Sequence, residues 1–269
     1  MEPVIRVEEL VKRYAGRGIT RRAAEFTSVD SVSLSILPGR TLALVGDSGS
    51  GKSTVALCLA CLERVTSGNI WFEGRDLAVL GDNELRVVRP RLQMVFQDPA
   101  SSLNPRWTVG DIVAEPLLVQ GRTGSGERRA HGAQVLQTVG LGVEYLERRP
   151  SELSGGQRQR VAIARALILQ PKLLILDEVL SALDCSIQAQ VANLLVQLQR
   201  TLGLAYLFIT HDLRMAAHLA DEIAVMSRGK IVEQGLAEKI LSNTECAETQ
   251  SLLAEARIER DKAEVVREP

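Results

Sequence analysis

The stretch GDSGSGKST, residues 46–54, follows the apolar run TLALV and opens the helical run STVALCLACLERV. It contains the pattern G-x-x-x-x-G-K-[ST], in which glycines let the backbone fold around phosphate groups. The lysine reaches the terminal phosphates, and the hydroxyl that follows it can bind Mg²⁺. The alternative is a glycine-rich turn that binds nothing, but the strand before it and the helix after it favour a phosphate loop. The residues predicted to bind nucleotide here are Gly46, Ser48, Gly49, Gly51, Lys52, Ser53 and Thr54.

The apolar runs of the chain predict an α/β fold. TLALVG, LQMVF, KLLILD and AYLFIT are nearly continuous apolar runs, which is typical of buried central strands. They alternate with helical patterns, so we expect a mainly parallel central sheet covered by helices. VIRVEEL and SVSLSIL predict early strands of an antiparallel β layer, with the polar stretch AGRGITRRAAEFTS as the loop between them. Arg228-Gly229, set between two alternating runs, predicts a hairpin.

Composition excludes several classes of function. The chain has 269 residues, 45% hydrophobic and 3% aromatic, with a formal net charge of −1, so it lacks the basic surface that nucleic acid needs. No run reaches the roughly 18 to 20 apolar residues of a membrane span, and no signal peptide is recognisable at the start, so a cytoplasmic protein is expected.

Cys58 and Cys61 fall on one face of a predicted helix. The two interpretations are a metal or redox pair and ordinary reduced cysteines of the helix, of which the second is favoured.

Polar residues follow two of the other predicted strands. Asp177 and Glu178 end the run KLLILDE. Asp177 would reach Mg²⁺, and Glu178 would point at the γ-phosphate and act as a general base or orient the attacking water. His211 ends the run AYLFIT and could hydrogen-bond the γ-phosphate or its attacking water. The alternatives are an acid pair without function and an ordinary surface histidine. His131 and His218 lie in helical patterns and are interpreted as structural.

A second stretch, SELSGGQRQR at 151–160, is suited to hold an anion at a helix start. Gly155 and Gly156 leave backbone N–H groups uncovered, and the helix dipole adds partial positive charge there. One chain therefore carries two phosphate cradles, of which only the first has a lysine.

Taken in order, five motifs resemble those of the ATP-binding subunits of ABC transporters. They are the phosphate loop at 46–53, LSGGQ at 153–157, the acidic strand end at Asp177 and Glu178, SALD at 181–184 and THD at 210–212, and the resemblance covers about residues 4 to 240. It implies a P-loop NTPase core with an antiparallel β layer and an inserted α-helical subdomain, using ATP and Mg²⁺. It divides the chain into a core and β subdomain at 1–97 and 159–240, a helical subdomain at 98–158 and a tail at 241–269.

The resemblance also assigns roles to residues. It implies that Tyr14 stacks on adenine and that Gln97 links the Mg²⁺ site, with Ser53 and Asp177, to the helical subdomain. Glu178, His211 and Gln97 become the expected catalytic residues. The LSGGQ of one subunit closes over the γ-phosphate held by the loop of a second, head-to-tail subunit, so that ATP joins a dimer. This adds the last nucleotide contacts: Ser154, Gly155, Gly156, Gln157 and Asp184.

Finer resemblance connects the chain with the dipeptide, oligopeptide and nickel importer ATPases, particularly the second of their two ATPase subunits. The stretches FQDPASSLNPRWTVGDIVAEPL and SALDCSIQAQVANLLVQLQR resemble that subfamily. It implies two transmembrane permease subunits, a second ATP-binding subunit that is unlike rather than identical, and a solute-binding protein in indirect contact. The expected location is peripheral, at the cytoplasmic face of the inner membrane.

Two departures and three alternatives accompany this interpretation. Val179-Leu180 stands where the family usually has a proline after Glu178, and the tail matches the subfamily only in TQSLL. The main alternative is an ABC-type ATPase of a soluble enzyme assembly, similar to the carbon–phosphorus lyase accessory subunits. A DNA-repair ATPase lacks support because the chain has no coiled-coil or zinc insertion. Glu178 argues against a regulator that only binds ATP.

Overall fold

A computed structural model describes residues 2–15, 25–98, 102–121 and 124–265. The contacts within the chain form two compact units, of which one combines residues 1–81 with 206–269 and the other spans 82–205. The division predicted from the sequence, at 1–97 with 159–240, 98–158 and 241–269, stays a prediction.

The first unit contains the predicted antiparallel layer. Its strands lie in the order β2 (Phe26–Ile36), β1 (Ile5–Tyr14), β4 (Ser67–Phe72) and β5 (Arg75–Asp76). The two early strands are therefore confirmed. The stretch predicted as their connecting loop is partly wrong, because its last three residues already belong to β2, and residues 16–24 lie outside the described part of the chain.

A second sheet in this unit carries two of the buried central strands. Here β3 (Thr41–Val45) pairs in parallel with both β8 (Ala205–Thr210) and β9 (Glu222–Ser227), and β10 (Lys230–Leu236) pairs antiparallel with β9. Every residue of β3 and β8 is buried, as their apolar sequences predict. Because β3 and β8 are parallel, the segments that follow them emerge at the same edge of the sheet.

The hairpin predicted at Arg228-Gly229 is confirmed. Arg228 has φ of 48° and Gly229 has φ of 84°, and Ser227 pairs with Lys230. Two consecutive positive φ values characterise the tight turn whose twist matches that of antiparallel strands. The helices of this unit are α1 (Lys52–Leu59), α7 (Leu213–Leu219), α8 (Ala237–Ser242) and α9 (Ala247–Val265).

The second unit combines two parallel strands with helices. Strands β6 (Leu92–Val95) and β7 (Leu173–Asp177) pair in parallel, with Val95 opposite Leu176. The α-helices are α2 (Asp82–Val88), α3 (Val109–Val119), α4 (Ser125–Thr138), α5 (Gly155–Leu167) and α6 (Cys185–Leu202). Short 3-10 helices occupy Arg89–Arg91, Val143–Tyr145 and Pro150–Glu152. The polar break predicted at 121–129 is partly wrong, because α4 already begins at Ser125.

Charged side chains fasten α5 to its neighbours in this unit. Arg165 pairs with Glu115 of α3 at 2.7 Å and donates to the Ser102 carbonyl at 3.0 Å. Arg160 donates to the Val139 carbonyl, at the end of α4, at 2.7 Å. The helix that follows the LSGGQ stretch is thus held on its polar side as well as through its buried residues.

The four cysteines form no disulfide with one another. Cys58 is buried in α1, and burial raises the pKa of its thiol to about 11, which keeps it protonated near neutral pH. The prediction that Cys61 shares a helix face with Cys58 is wrong, because α1 ends at Leu59 and Cys61 has φ of 55°. Among the described residues, no helix has the length and apolarity to cross a membrane.

The tail, whose docking the sequence could not predict, is fastened to strand β10. Thr249 of α9 is fully buried and donates its hydroxyl to the Glu233 carboxylate at 2.5 Å, and Thr244 donates to the same oxygen at 2.6 Å. Leu252 is also buried. Two hydroxyl donors on one carboxylate therefore join the last helix to the sheet of its unit.

Replacing Thr249 with valine tests this attachment. Thr249→Val keeps the shape of the side chain but removes a buried hydrogen bond to a charged acceptor, so we expect a loss of about 1 to 2 kcal/mol in unfolding free energy. Hydrogen exchange should localise the loss to α9. Thr201→Val is the matched control, because the exposed Thr201 donates only within its own helix, to Gln197. Equal effects of the two variants would contradict the attachment.

Candidate nucleotide-binding site

The predicted phosphate loop follows directly from β3, and two of its glycines have no room for a side chain. A Cβ at Gly46 would lie 2.1 Å from the Met226 carbonyl oxygen, and one at Gly51 would lie 2.4 Å from the Ser28 carbonyl oxygen. Gly51 also has φ of 108°, which side-chain-bearing residues rarely adopt. The loop therefore packs its own backbone against β2 and β9, which fixes the path that the chain takes around the site.

Lys52 is buried and closes the loop from inside. Its ammonium donates to the Gly46 carbonyl at 2.7 Å and to the Asp47 carbonyl at 2.8 Å. Because Lys52 is bound to carbonyls at the start of the phosphate loop, its positive charge lies inside the loop. A terminal phosphate is the kind of group that can take the place of those carbonyls.

The remaining loop residues divide by exposure. Ser48 and Gly49 are exposed at the tip, and Ser53 is exposed at the first turn of α1. Thr54 turns toward the interior, where its hydroxyl lies 2.8 Å from that of Ser28. The exposed Ser53 hydroxyl suits a metal ligand, whereas Thr54 ties the start of α1 to β2.

His211 lies beside the start of the loop because of the strand register. Val45 pairs with Thr210, so Gly46 and His211 are the next residues on two adjacent parallel strands. Asp212 caps α7 by accepting from the Arg214 backbone N–H at 2.8 Å. Burial alone would raise the pKa of Asp212, but the hydrogen bonds from Arg214 outweigh it and hold that pKa below the usual value. The exposed histidine thus sits on a rigid turn.

Tyr14 ends β1 in the same unit and is half-buried. The Lys12 ammonium lies 4.7 Å from the centroid of its ring. The ring is therefore an aromatic surface with a cation against it, in the unit that carries the phosphate loop.

In the second unit, the register of β6 and β7 brings Gln97 to Glu178. Val95 pairs with Leu176, so Gln97 and Glu178 each follow two residues later. The Gln97 amide donates to the Glu178 carboxylate at 3.0 Å. The sequence predicted both residues as catalytic, and the structure joins them by a direct hydrogen bond.

The turn after Glu178 is well defined despite the absence of a proline. Val179 and Leu180 are buried, and the Ser181 hydroxyl donates to the Glu178 carbonyl at 2.9 Å. Glu178 itself has φ of 47°, a strained conformation for a residue with a side chain. Apolar burial thus holds the link whose rigidity the sequence left open, and Asp177 before it is buried at the end of β7.

Ser154 and Gln157 form a capping box at the start of α5. The Ser154 hydroxyl accepts from the Gln157 backbone N–H, and the Gln157 side-chain oxygen accepts from the Ser154 N–H at 2.9 Å. The Gln157 amide also donates to the Tyr145 hydroxyl at 3.1 Å. Gln157 therefore shapes the helix start in this structure, and the exposed Ser154 keeps its hydroxyl proton for another acceptor.

The two glycines of this stretch have different reasons to be glycine. A Cβ at Gly156 would lie 2.5 Å from the Ile187 side chain of α6, whereas a Cβ at Gly155 would meet Leu183 at an ordinary 3.5 Å. Gly156 is thus required for helix packing, whereas the half-buried Gly155 has room for a Cβ. Asp184 is exposed at the start of α6, where its backbone carbonyl accepts from Ile187 and Gln188.

The structure groups the predicted residues by unit. The phosphate loop, Tyr14 and His211 belong to the first unit; Gln97, Asp177, Glu178, Asp184 and the LSGGQ stretch belong to the second. Sequence reasoning missed Lys12, Ser28 and Ile187. Of these, only Lys12 had a local signal, because it lies two residues before Tyr14 on a strand and therefore faces the same side.

Each unit by itself carries oxygen and nitrogen donors suited to a nucleotide or a magnesium ion. In the first unit, the glycine backbone and Lys52 suit phosphate oxygens, and the Ser53 hydroxyl is a ligand type that Mg²⁺ accepts. In the second unit, the side-chain oxygens of Gln97 and Asp177 are of the type that Mg²⁺ prefers. The described residues contain no group of three or more His, Cys, Asp or Glu that could hold a metal. A few protein oxygens completed by phosphates and water are the usual surroundings of Mg²⁺ in nucleotide sites.

Comparison with known proteins identifies one family. The family model described as ABC transporter matches residues 29–181. The chain is 49% identical over 253 residues to the oligopeptide transport ATP-binding protein OppD of Mycobacterium tuberculosis, and 46% identical over 255 residues to the glutathione import ATP-binding protein GsiA of Escherichia coli. These matches cover 93% and 94% of this chain but 41% of each relative, so the chain spans about two fifths of their length.

Solved structures agree with the fold. A dimeric structure of the ATP-binding cassette MJ0796 in a post-hydrolysis state, bound to ADP and Pi, is 29% identical, with a TM-score of 0.76 over 87% of this chain and 98% of that one. The cbiO1 protein of Clostridium perfringens, 24% identical, matches all of both chains with a TM-score of 0.79. The predicted P-loop NTPase α/β fold is confirmed.

The glycine pair allows a matched test. Gly156→Ala should lower the free energy of unfolding by roughly 1 to 3 kcal/mol, because its Cβ collides with Ile187. Gly155→Ala should change it by less than about 0.5 kcal/mol. Denaturant unfolding measures both. In an Ile187→Ala background the penalty of Gly156→Ala should disappear, and its persistence there would show that the collision is not the cause.

Proposed function

The chain belongs to the ABC transporter family, as its motifs predicted, and we propose that it is the ATP-hydrolysing subunit that powers import of peptides or nickel-type solutes through separate membrane subunits. The observation that carries this proposal is the presence of two different anion cradles in one chain. One is a lysine-closed phosphate loop, and the other is the start of α5, capped by Ser154. The oligopeptide and glutathione names of the relatives support a peptide-like cargo.

The proposed roles of the residues agree with their surroundings. The backbone of the phosphate loop and Lys52 bind the phosphates, while Tyr14 offers a ring to the adenine. Glu178 accepts a proton from, or orients, the attacking water, and the hydrogen bond from Gln97 sets the direction of its carboxylate. His211 hydrogen-bonds the γ-phosphate from the adjacent strand end. When bound through Ser53, Gln97 and Asp177, Mg²⁺ would neutralise phosphate charge.

The second cradle is proposed to act on another subunit. The start of α5 presents N–H groups and the Ser154 hydroxyl without a lysine, which suits an anion whose charge a lysine elsewhere already compensates. We propose that it closes over the γ-phosphate held by a head-to-tail partner, with Asp184 and Gln157 at the edge of the contact. The dimeric structure of the MJ0796 cassette with ADP and Pi supports the pairing of two such subunits. ATP binding would close the pair, and hydrolysis would let it open.

The proposed assembly contains two permease subunits and an unlike second ATP-binding subunit, with a solute-binding protein in indirect contact. It places the chain at the cytoplasmic face of the membrane as a peripheral subunit. The relatives are more than twice as long as this chain, so their length leaves room for a second segment as long as this chain.

Glu178→Gln provides the principal test. This variant keeps the size of the side chain and its contact with Gln97 but loses the base, so phosphate release should fall at least a hundredfold while ATP binding persists. Phosphate release at the wild-type rate would overturn the assignment of the base.

The same variant, tagged in its native cell and extracted gently from membranes with ATP, should retain the closed complex. Mass spectrometry should find two membrane subunits and a second, unlike ATPase. A soluble complex without membrane proteins would overturn the transport proposal in favour of an enzyme assembly.

Ser154 allows the action on another subunit to be tested without loss of the helix cap. Ser154→Asp keeps a good capping residue but puts a negative charge before the phosphate, so ATP binding by the isolated chain should be unchanged while hydrolysis in the complex is lost. Ser154→Asn caps equally well without the charge and should retain most activity. Weaker ATP binding by the isolated Ser154→Asp chain would contradict the proposed action in trans.

A further inference from the structure

Lys12 and Tyr14 form a stacked pair at the end of β1. They are two residues apart on one strand, so their side chains lie on the same face of the sheet. The Lys12 ammonium lies 4.7 Å from the ring centroid, within the range of a cation–π contact. The cation therefore covers one part of the ring, which is only half-buried and reaches solvent elsewhere.

The position of Lys12 is itself fixed by two strong acceptors. Its ammonium donates to the Glu63 carboxylate at 2.7 Å and to the Arg64 carbonyl at 2.8 Å. Only 9% of the residue is exposed. Burial alone would lower the pKa of Lys12, but the hydrogen bond and charge of Glu63 outweigh burial and raise it, so the lysine stays charged.

The acceptors of Lys12 belong to the segment that follows α1. The Glu63 N–H donates to the Leu57 carbonyl of that helix at 3.1 Å. Beyond Glu63, Thr66 is fastened to β1: its hydroxyl accepts from the Arg13 N–H at 2.9 Å, and its own N–H donates to the Val11 carbonyl at 2.8 Å. Lys12 thus joins the strand that carries Tyr14 to the helix that begins at the phosphate loop.

We propose that Lys12 is a positioning residue for the adenine base: it holds the Tyr14 ring at a fixed distance from the phosphate loop, ready to stack. This inference rests on the proposed binding of ATP by this chain. A ring already held in place loses less side-chain freedom when a ligand binds, so part of the cost of ordering the site is removed. The resulting gain in affinity is expected for a ligand that carries the adenine base and not for a ligand that consists of phosphates alone.

The test compares a ligand with a base and one without. Titration calorimetry on the full chain with Mg²⁺ measures binding of ATP and of inorganic tripolyphosphate. Lys12→Met should weaken ATP about three- to tenfold and leave tripolyphosphate unchanged, and Lys12→Arg should restore ATP binding. Lys230→Met is the matched control, because it removes an exposed lysine paired with Asp30 in the same unit, and it should change neither affinity.

A double-mutant cycle separates positioning from general support of the fold. In a Tyr14→Ala background, Lys12→Met should have no further effect on ATP binding. Equal weakening of ATP and tripolyphosphate, or an undiminished effect of Lys12→Met without the ring, would overturn the inference. Thermal melting checks folding, and if Lys12→Met does not fold, Glu63→Gln takes its place, with the same selective loss of ATP expected.

The result also distinguishes this inference from the proposed function. If the wild-type chain binds neither ligand, the proposed function fails and the inference fails with it. If the wild type binds both and Lys52→Ala abolishes both, the phosphate loop is verified. The Lys12 variants then decide the inference alone.

Discussion

The parallel pairing of β3 and β8 is the constraint on which the first unit depends. Both strands are buried along their whole length. A shift of their register would change which of the residues that follow them lie side by side. The pairing of Val45 with Thr210 sets Gly46 next to His211 at one edge of the sheet. In the second unit, β6 and β7 act in the same way for Gln97 and Glu178. Each chemical group is thus placed by the strand before it.

Buried contacts then give these strand ends their shape. The close approach of Gly46 to Met226 and of Gly51 to Ser28 determines the path of the phosphate loop, and Lys52 closes it from within. Val179 and Leu180 hold the turn after Glu178 by apolar burial, where a proline would have restricted the backbone. The packing of these two side chains therefore restricts the turn in the way that the ring of a proline would.

The sequence predicted most of the fold because its signals were local. Continuous apolar runs identified the buried strands, and glycines with a lysine at fixed spacing identified the phosphate loop. It did not predict features that depend on distant residues. The need for glycine at 156 comes from Ile187, and the support of Tyr14 comes from Glu63. The sequence also placed Cys61 on a helix that ends at Leu59, because periodicity alone does not show where a helix stops.

The four free cysteines differ in exposure, which decides where a thiol reagent attaches. Cys185 is exposed at the first position of α6, whereas Cys58 is buried and stays a protonated thiol. A maleimide dye would therefore react at Cys185 in preference to Cys58. That position lies two residues before Ile187, the side chain against which Gly156 packs. Once the half-buried Cys61 and Cys246 are replaced by serine, a fluorophore at Cys185 would report on the start of α5.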